Sequence, residues 1–398
     1  MAQYWASQYF TSSPGGSYQR PAKTDLWTLQ QCNNWSIGPS QELTTYSTML
    51  RDATQEAITH PSTAEPPYKR TICPDSKRNR KDFHSATPPF DLRHGYRTQI
   101  KKENENEFIS LLLECLVHER LVGRSEFVCL RNLLTKICHT PYEGDASHDC
   151  GTIVVVQKIC GVYYMAEFPT KKSNHQKCCQ TKKQKKTIYR ELKFKSYVTA
   201  NPGESQPLSK ARKPLNLNEK FCSVVEKNFG SHSITFCTEV DCRKPDNNYV
   251  GSSALSNYIE LRTTSLQQNL EDIKTFKANK LIQWWLQSYF CGIEKILCGF
   301  HDHRGIVRTL KWYDAHDLPE MMIDREPATC LVFLDQFLKT VKFAVTTEFV
   351  PHVFTRAAYG NMFSNSLDRE GKYKFIPRWF AESVTSVNPQ NLPPQYLL

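Results

Sequence analysis

Acidic residues on two short segments near the middle of the chain could hold a divalent metal ion. Glu239 and Asp241 lie two apart in one segment, and Glu260 and Arg262 lie two apart in the other. Because alternate residues of a β-strand point to the same face, each pair shares a face if both segments are strands. Three carboxylates gathered on paired strands would repel one another, and hard cations such as Mg²⁺ relieve that repulsion. This layout is typical of metal-dependent nucleases; a surface hairpin with solvated acids is the alternative.

The composition is that of a globular chain with an excess of positive charge. The 398 residues are 39% hydrophobic and 23% charged, which suffices for the core of one large or two medium domains. The net charge of +11 favours an anionic partner, with nucleic acid as the first candidate. No apolar run reaches the length of a membrane span, and the N-terminus lacks a secretory signal, so we expect no membrane association.

Hydrophobic periodicity surrounds the acidic segments with a mixture of helices and strands. Because the strict alternation of a doubly wound fold is missing, we predict a mixed α/β class in which β-sheets pack with helices around a central cleft. Helices are predicted over 103–120, 275–289 and 328–346, and strands over 152–156, 161–167, 234–240, 258–263, 295–300, 306–310 and 348–355.

The chain divides into three predicted parts. Residues 1–85 are rich in Ser, Thr, Gln, Pro and Tyr and show no sustained period, which predicts a largely disordered N-terminal arm. Residues 86–387 form a single domain, and residues 388–398 form a Pro-rich tail.

Two runs of basic residues stand out from the rest of the chain. Residues 76–81 are typical of a nuclear-import signal or a solvated linker. Residues 171–195 contain ten Lys or Arg and one acid, and they include residues 182–186, which are too charged to pack. This second stretch could grip a phosphate backbone, act as another import signal or form a solvated loop.

Several short motifs follow one another along the chain. They are FDLRHGY at 90–96, LRNLLTK at 130–136, TPYE at 140–143, FCSVV at 221–225, EVDC at 239–242, YIELRT at 258–263, KLIQWWLQS at 280–288, GF at 299–300 and FIPRW at 375–379. In these motifs and their order, the chain resembles the DXO family of RNA decapping exoribonucleases from about residue 90 to 382. The resemblance implies a DXO-type fold with a nuclease-like acidic core, in which residues 86–387 are the catalytic and RNA-binding domain.

The resemblance also implies roles for individual residues. It implies hydrolysis at RNA 5′ ends with bound Mg²⁺ or Mn²⁺, where the metal would activate water and neutralise developing charge. The implied metal ligands are Glu239, Asp241, Glu260 and the backbone carbonyl of Leu261. Gln287 would orient the scissile group or the attacking water, and Arg262 takes the place of a catalytic lysine. The implied nucleotide contacts are Glu107, Leu130, Arg131, Asn132 and Cys222, together with Glu239, Arg262 and Gln287.

Four positions depart from the family pattern. Lys195 stands where the family has a glutamate metal ligand, and a unit charge at about 4 Å and an effective dielectric of 20 contributes roughly 4 kcal/mol. An ammonium there removes an attraction for the metal and adds a repulsion. Arg262 keeps the charge of a lysine without its compact donor. His301 replaces an arginine, and Asn132 replaces a glycine.

Two functions remain open at this point. The first is a metal-dependent RNA 5′-end decapping pyrophosphohydrolase and 5′–3′ exoribonuclease, weakened by Lys195, that acts on incompletely capped or nicotinamide-capped RNA. The hydrolytic activity would be restored if the Glu191 carboxylate reached the site, or if the Lys195 ammonium took the place of one metal ion's charge. The second is an inactive member that binds RNA 5′ ends or scaffolds a nuclear exonuclease or a transcription-associated complex. Both imply a nuclear location, with the cytoplasm as an additional one.

Overall fold

A computed structural model describes residues 40–48, 82–83, 87–99, 108–143, 150–200, 215, 220–244, 254–360 and 362–385. The strands are β1 (Ser40–Thr48), β2 (Asp82–Phe83), β3 (Phe90–Asp91), β4 (Phe127–Leu130), β5 (Thr152–Ile159), β6 (Val162–Phe168), β7 (Thr199–Ala200), β8 (Lys220–Phe229), β9 (His232–Glu239), β10 (Cys242–Arg243), β11 (Tyr258–Ser265), β12 (Lys295–His301), β13 (Ile306–Asp314), β14 (His352–Arg356) and β15 (Ser364–Leu367). The helices are α1 (Phe108–His118), α2 (Arg131–His139), α3 (Lys171–Cys178), α4 (Lys182–Val198), α5 (Leu270–Cys291), α6 (Leu318–Met321), α7 (Pro327–Ala344) and α8 (Arg378–Thr385).

The strands form two mixed sheets, which confirms the predicted α/β class. The eight-stranded sheet has the order β1-β8-β9-β4-β6-β5-β14-β15, and the seven-stranded sheet has the order β3-β13-β12-β11-β10-β2-β7. Strand β4 is parallel to both β6 and β9, and β11 is parallel to β12. Each helix and strand predicted from hydrophobic periodicity is present, with ends shifted by a few residues where they are described.

The main hydrophobic core lies between the two sheets. Its side chains come from both sheets and from helices α2, α5 and α7. A second cluster packs α1 and α8 against the eight-stranded sheet, and a third packs α4 against the seven-stranded sheet. Side chains along β11 alternate between two of these clusters. Tyr258 belongs to the main core, and Ile259 and Leu261 belong to the cluster with α4. Among the described helices, none is long and apolar enough to span a membrane.

Part of the predicted N-terminal arm belongs to the sheet. Strand β1 pairs antiparallel with β8, and the Ser40 hydroxyl donates a hydrogen bond of 2.9 Å to the Phe290 carbonyl. These residues are an ordered part of an arm predicted to be largely disordered, because strand pairing with β8 supplies an order that their own sequence does not signal. The basic run at 76–81 and the tail at 388–398 lie outside the described residues.

The basic stretch 171–195 forms two helices, so its interpretation as a solvated loop is wrong. Helix α3 begins after Thr170, whose hydroxyl accepts a hydrogen bond of 3.0 Å from the Ser173 amide. Helix α4 begins with a capping box in which Thr181 and Gln184 each accept from the other's backbone amide. Local capping thus starts a helix that hydrophobic packing holds only in its second half, where Phe194 and Val198 are buried.

A glycine on β12 allows α4 to lie close to the seven-stranded sheet. A Cβ atom placed on Gly299 would lie 2.6 Å from the ring of Phe194, a distance that real Cβ contacts do not reach. Only glycine therefore permits this approach. The neighbour of Phe194 in the chain is Lys195, so the close contact also fixes where Lys195 enters the acidic site.

Candidate active site

The acidic residues meet where the chain crosses from one sheet to the other. Glu239 ends β9 in the eight-stranded sheet, and Asp241 lies in the link to β10 in the seven-stranded sheet. Strand β10 pairs antiparallel with β11, which carries Glu260. The expected pairing of the two acidic segments as neighbouring strands is therefore revised, because Glu239 and Glu260 belong to different sheets. A hydrogen bond of 2.8 Å from the Leu261 amide to Asp241 Oδ2 joins the segments.

Lys195 lies among the carboxylates that it was expected to disturb. Its Nζ contacts the carboxylate of Asp241 and lies 3.8 Å from Glu239 Oε1. The side chains of Lys195 and Asp241 are 18% and 3% exposed. Burial favours the neutral amine, but Asp241 and Glu239 outweigh it and raise the pKa of Lys195. Burial also raises the pKa of the Asp241 carboxyl, and Lys195 acts against that effect.

Glu260 is held between two guanidinium groups. Arg131 contacts Glu260 Oε1, and Arg262 Nη2 lies 2.8 Å from Oε2. The Glu260 and Arg131 side chains are almost fully buried. Burial favours a neutral carboxyl, but Arg262 and Arg131 outweigh it and lower the pKa of Glu260 to about 2. Glu260 is therefore an ionised carboxylate whose two oxygens are both in contact with cations.

Arg262 connects the acidic segment to two helices. Its Nη2 donates to the Gln287 Oε1 atom of α5 as well as to Glu260, and its Nη1 lies 3.5 Å from Glu191 of α4. Gln287 thus accepts a hydrogen bond from Arg262, and Glu191 reaches the edge of the site. Burial disfavours the charged form of Arg262, but the carboxylates of Glu260 and Asp241 outweigh this effect and raise the pKa of the Arg262 guanidinium.

Arg131 begins helix α2 at the end of β4 and faces the interior. Its Nη1 contacts Glu260 and lies 3.4 Å from the Cys291 Sγ atom, while its Nε has no hydrogen-bond partner among the described residues. Its neighbour Leu130 is half-buried, and Asn132 is exposed. The structure therefore brings Arg131 into the acidic cluster and leaves Asn132 at the surface.

The two remaining expected nucleotide contacts are Cys222 and Glu107. Cys222 is buried on β8, directly opposite Glu239 in the strand register. Glu107 lies outside the described residues. Sequence reasoning missed the contact of Cys291 with Arg131, and no local signal could have found it, because 160 positions separate the two residues.

The described carboxylates do not present an open metal site. No group of three or more His, Cys, Asp or Glu side chains in the described part of the chain is arranged to hold a metal ion. Asp241 and Glu239 are in contact with Lys195, and Glu260 is in contact with two arginines. A divalent cation would have to displace an ammonium or a guanidinium from these oxygens. The oxygen donors of Glu239, Asp241 and Glu260 therefore suit a divalent metal only after these ion pairs open.

Comparison with known proteins places most of the chain in one family. The family model described as RAI1 like PD-(D/E)XK nuclease matches residues 41–381. The decapping and exoribonuclease protein of Xenopus laevis is 30% identical over 318 residues, which cover 75% of this chain and 77% of that protein. The protein of the same name from Homo sapiens is 29% identical over 323 residues, with 77% and 78% covered.

Solved structures share the fold at lower identity. Candida albicans Rai1 in complex with pU5-Mn²⁺ gives a TM-score of 0.73 at 17% identity and covers 88% of this chain and 95% of that chain. Scheffersomyces stipitis Rai1 in complex with (3′-NADP)⁺ and calcium ion gives 0.70 at 18% identity, with 87% and 97% covered. This likeness confirms the DXO-type fold.

Proposed function

This chain belongs to the RAI1-like PD-(D/E)XK nuclease family, and on that premise we propose that it acts on RNA 5′ ends. The proposed activity is decapping and 5′–3′ exonucleolytic hydrolysis, weakened by Lys195, on incompletely capped or nicotinamide-capped RNA. Relatives at about 30% identity are named decapping and exoribonuclease proteins, which supports this activity. The observation that carries the proposal is the retention of Glu239, Asp241 and Glu260 in one network of contacts.

The proposed cofactor is Mg²⁺ or Mn²⁺, in keeping with the Mn²⁺ bound to Rai1 of Candida albicans. When bound, such an ion supplies Lewis-acid stabilisation of the phosphate and activates water. The proposed ligands are Glu239, Asp241, Glu260 and the Leu261 carbonyl. Because the ion would compete with Lys195 for Asp241, we expect weak metal binding and slow hydrolysis.

The proposed roles of the chain's own residues follow from their contacts. Gln287 is held by Arg262 and would orient the scissile group or the attacking water. Arg131 carries a buried Nε–H group without a partner among the described residues, and we propose that it contacts the nucleotide. Leu130 and Asn132 beside it, Cys222 on β8 and Glu107 complete the proposed nucleotide contacts. We also propose a nuclear location, with the cytoplasm as a second one.

A second candidate function is favoured by the ion pairs themselves. Each of the three carboxylates is already in contact with a cation, so the chain could bind RNA 5′ ends without cutting them. Such a protein would shield RNA ends, or recruit a nuclear exonuclease or a transcription-associated complex. RNA binding would then be insensitive to a chelator.

One experiment separates the two candidates. Purified protein would be incubated with 5′-triphosphate RNA and capped RNA in the presence of Mn²⁺, beside Asp241→Ala, Lys195→Glu and Lys372→Glu variants. Weak turnover that Asp241→Ala abolishes and Lys372→Glu preserves supports the hydrolase. Lys195→Glu should raise turnover because it removes the competing ammonium. A silent parent whose activity appears only in Lys195→Glu identifies an RNA-end binder, and silence in all variants contradicts the hydrolase.

A further inference from the structure

Helix α3 and the first half of α4, which precede Lys195 in the chain, are strongly positive. We define the basic helix pair as α3 together with residues 182–190 of α4. Residues 171–190 contain eight Lys or Arg and no Asp or Glu. Helix α3 buries no side chain, and the lysines in the first two turns of α4 whose side chains are described are exposed. Packing therefore does not account for this concentration of cations.

Three lysines in the first half of α4 have no carboxylate partner in the part of the chain that the structure describes. Lys182, Lys185 and Lys186 are exposed and make no ion pair among the described residues. Further along the helix, Arg190 contacts the position where Gly305 would carry a side chain, and its buried Nε has no hydrogen-bond partner in the described part of the chain. An anion that approached the first half of α4 would meet Lys182, Lys185 and Lys186, which no described carboxylate already holds.

The acidic centre offers little attraction to a polyanion by itself. Its cations are neutralised, because each one contacts at least one carboxylate. Four acids face three cations there: Glu191, Glu239, Asp241 and Glu260 against Lys195, Arg131 and Arg262. Since neutralisation of phosphates supplies most of the non-specific affinity for nucleic acid, another surface must provide it.

One continuous helix joins the two regions. Helix α4 runs from Lys182 to Val198 and places Lys195 against Asp241. At about 1.5 Å of rise per residue, Lys186 lies roughly 13 Å and Lys182 roughly 20 Å along the helix axis from Lys195. An RNA chain that starts at the acidic centre covers this axial distance within several nucleotides.

We propose that the basic helix pair binds the sugar–phosphate backbone of single-stranded RNA downstream of a 5′ end held at the acidic centre. This inference rests on the proposed function and narrows it, because it selects RNAs with a single-stranded 5′ segment of several nucleotides. Isolated caps and dinucleotides do not reach the basic helix pair, so it adds nothing to their binding affinity.

The test compares a short RNA with a long one. Fluorescence anisotropy would measure binding of 5′-monophosphorylated U2 and U25 to the full chain, in EDTA to prevent turnover and at several salt concentrations. The variant is Lys182→Gln/Lys185→Gln/Lys186→Gln. The control, Lys274→Gln/Lys372→Gln/Lys374→Gln, removes the same three charges from exposed positions outside the basic helix pair. A third protein, Lys182→Arg/Lys185→Arg/Lys186→Arg, keeps the charge.

The parent should bind U25 more tightly than U2. The Gln variant should bind U2 like the parent and lose most of the additional affinity for U25. For U25, its slope of log K against log salt should be smaller by about 2, at about 0.7 per phosphate contact. The Arg variant and the control should behave like the parent. The inference is overturned if the Gln variant keeps the additional affinity for U25, or if the control loses as much of that affinity as the Gln variant does. If the parent binds neither RNA, the proposed function itself fails.

Discussion

The two halves of helix α4 carry the same kind of side chain in opposite surroundings. In the first half, Lys182, Lys185 and Lys186 extend into solvent without an ion pair among the described residues. In the second half, Lys193 is buried, and Lys195 contacts Asp241 and Glu239 inside the site. This difference shows that the role of a lysine depends on its burial and on its partners, since the residue type and the helix are the same in both halves.

The largest expected effect comes from removing the buried lysine. Among the described residues, Lys195→Ala leaves the almost fully buried Asp241 carboxylate with the hydrogen bond from Leu261 alone. Loss of one partner of a buried ion pair costs about 3–5 kcal/mol, and the partial exposure of Lys195 places our expectation near the lower end, at about 3 kcal/mol. Urea unfolding in EDTA measures the change. The matched substitution Lys186→Ala should change stability by less than about 0.5 kcal/mol; equal losses in both variants would remove the distinction between the two halves.

A third lysine, Lys227, is also buried but has different neighbours. Lys227 on β8 is buried, with its Nζ 3.2 Å from Ser40 Oγ and 4.6 Å from the centre of the Tyr289 ring. Burial lowers the pKa of Lys227 to about 8, whereas the unfolded value is about 10.4. Because the unfolded chain binds more protons in this window, stability contributed by this group rises as pH increases from 8 to 10.4.

Lys227→Met should remove about 2 kcal/mol of that rise. The measurement is the difference between parent and variant in the free energy of unfolding at pH 7.5 and at pH 10. A difference that stays constant across this range would show that Lys227 keeps its proton in the folded protein, as we expect of Lys195.

A smaller effect is expected at the start of the basic half. Thr181→Ala removes the hydroxyl that accepts from the Gln184 amide, and loss of such a cap costs about 1 kcal/mol. Because this half packs little, we expect local fraying, visible as faster amide exchange over the first turns of α4. Protection of residues 192–198 should be unchanged. Loss of protection along the whole helix would show that the two halves open together.

The smallest effect is expected at the edge of the site. Glu191 is 46% exposed and lies 3.5 Å from Arg262, so solvent screens the pair. Glu191→Gln should change stability by no more than about 0.5 kcal/mol. Thermal unfolding in EDTA checks this value. A loss comparable with that of Lys195→Ala would make Glu191 part of the buried network.

Local patterns predicted the type of most elements because periodicity reports which faces of a helix or strand are buried. The strands at 258–263 and 295–300 and the helix at 275–289 were predicted within a few residues of β11, β12 and α5. Strand β1 escaped prediction because it is ordered by pairing with β8, a strand some 180 positions away. Helices α3 and α4 were open to interpretation because charge patterns do not reveal capping.

For the site, the sequence by itself determined which residues are available and which depart from the family, namely three acids, Arg262 in place of a lysine and Lys195 in place of a glutamate. These facts follow from the types of the residues and their order in the chain. Only the tertiary structure decided that Glu239 and Glu260 lie in different sheets and that Lys195 and Arg131 lie against the carboxylates. The physical reason is that ion pairs form between groups brought close by packing, and the close approach of Phe194 to Gly299 depends on the whole sheet.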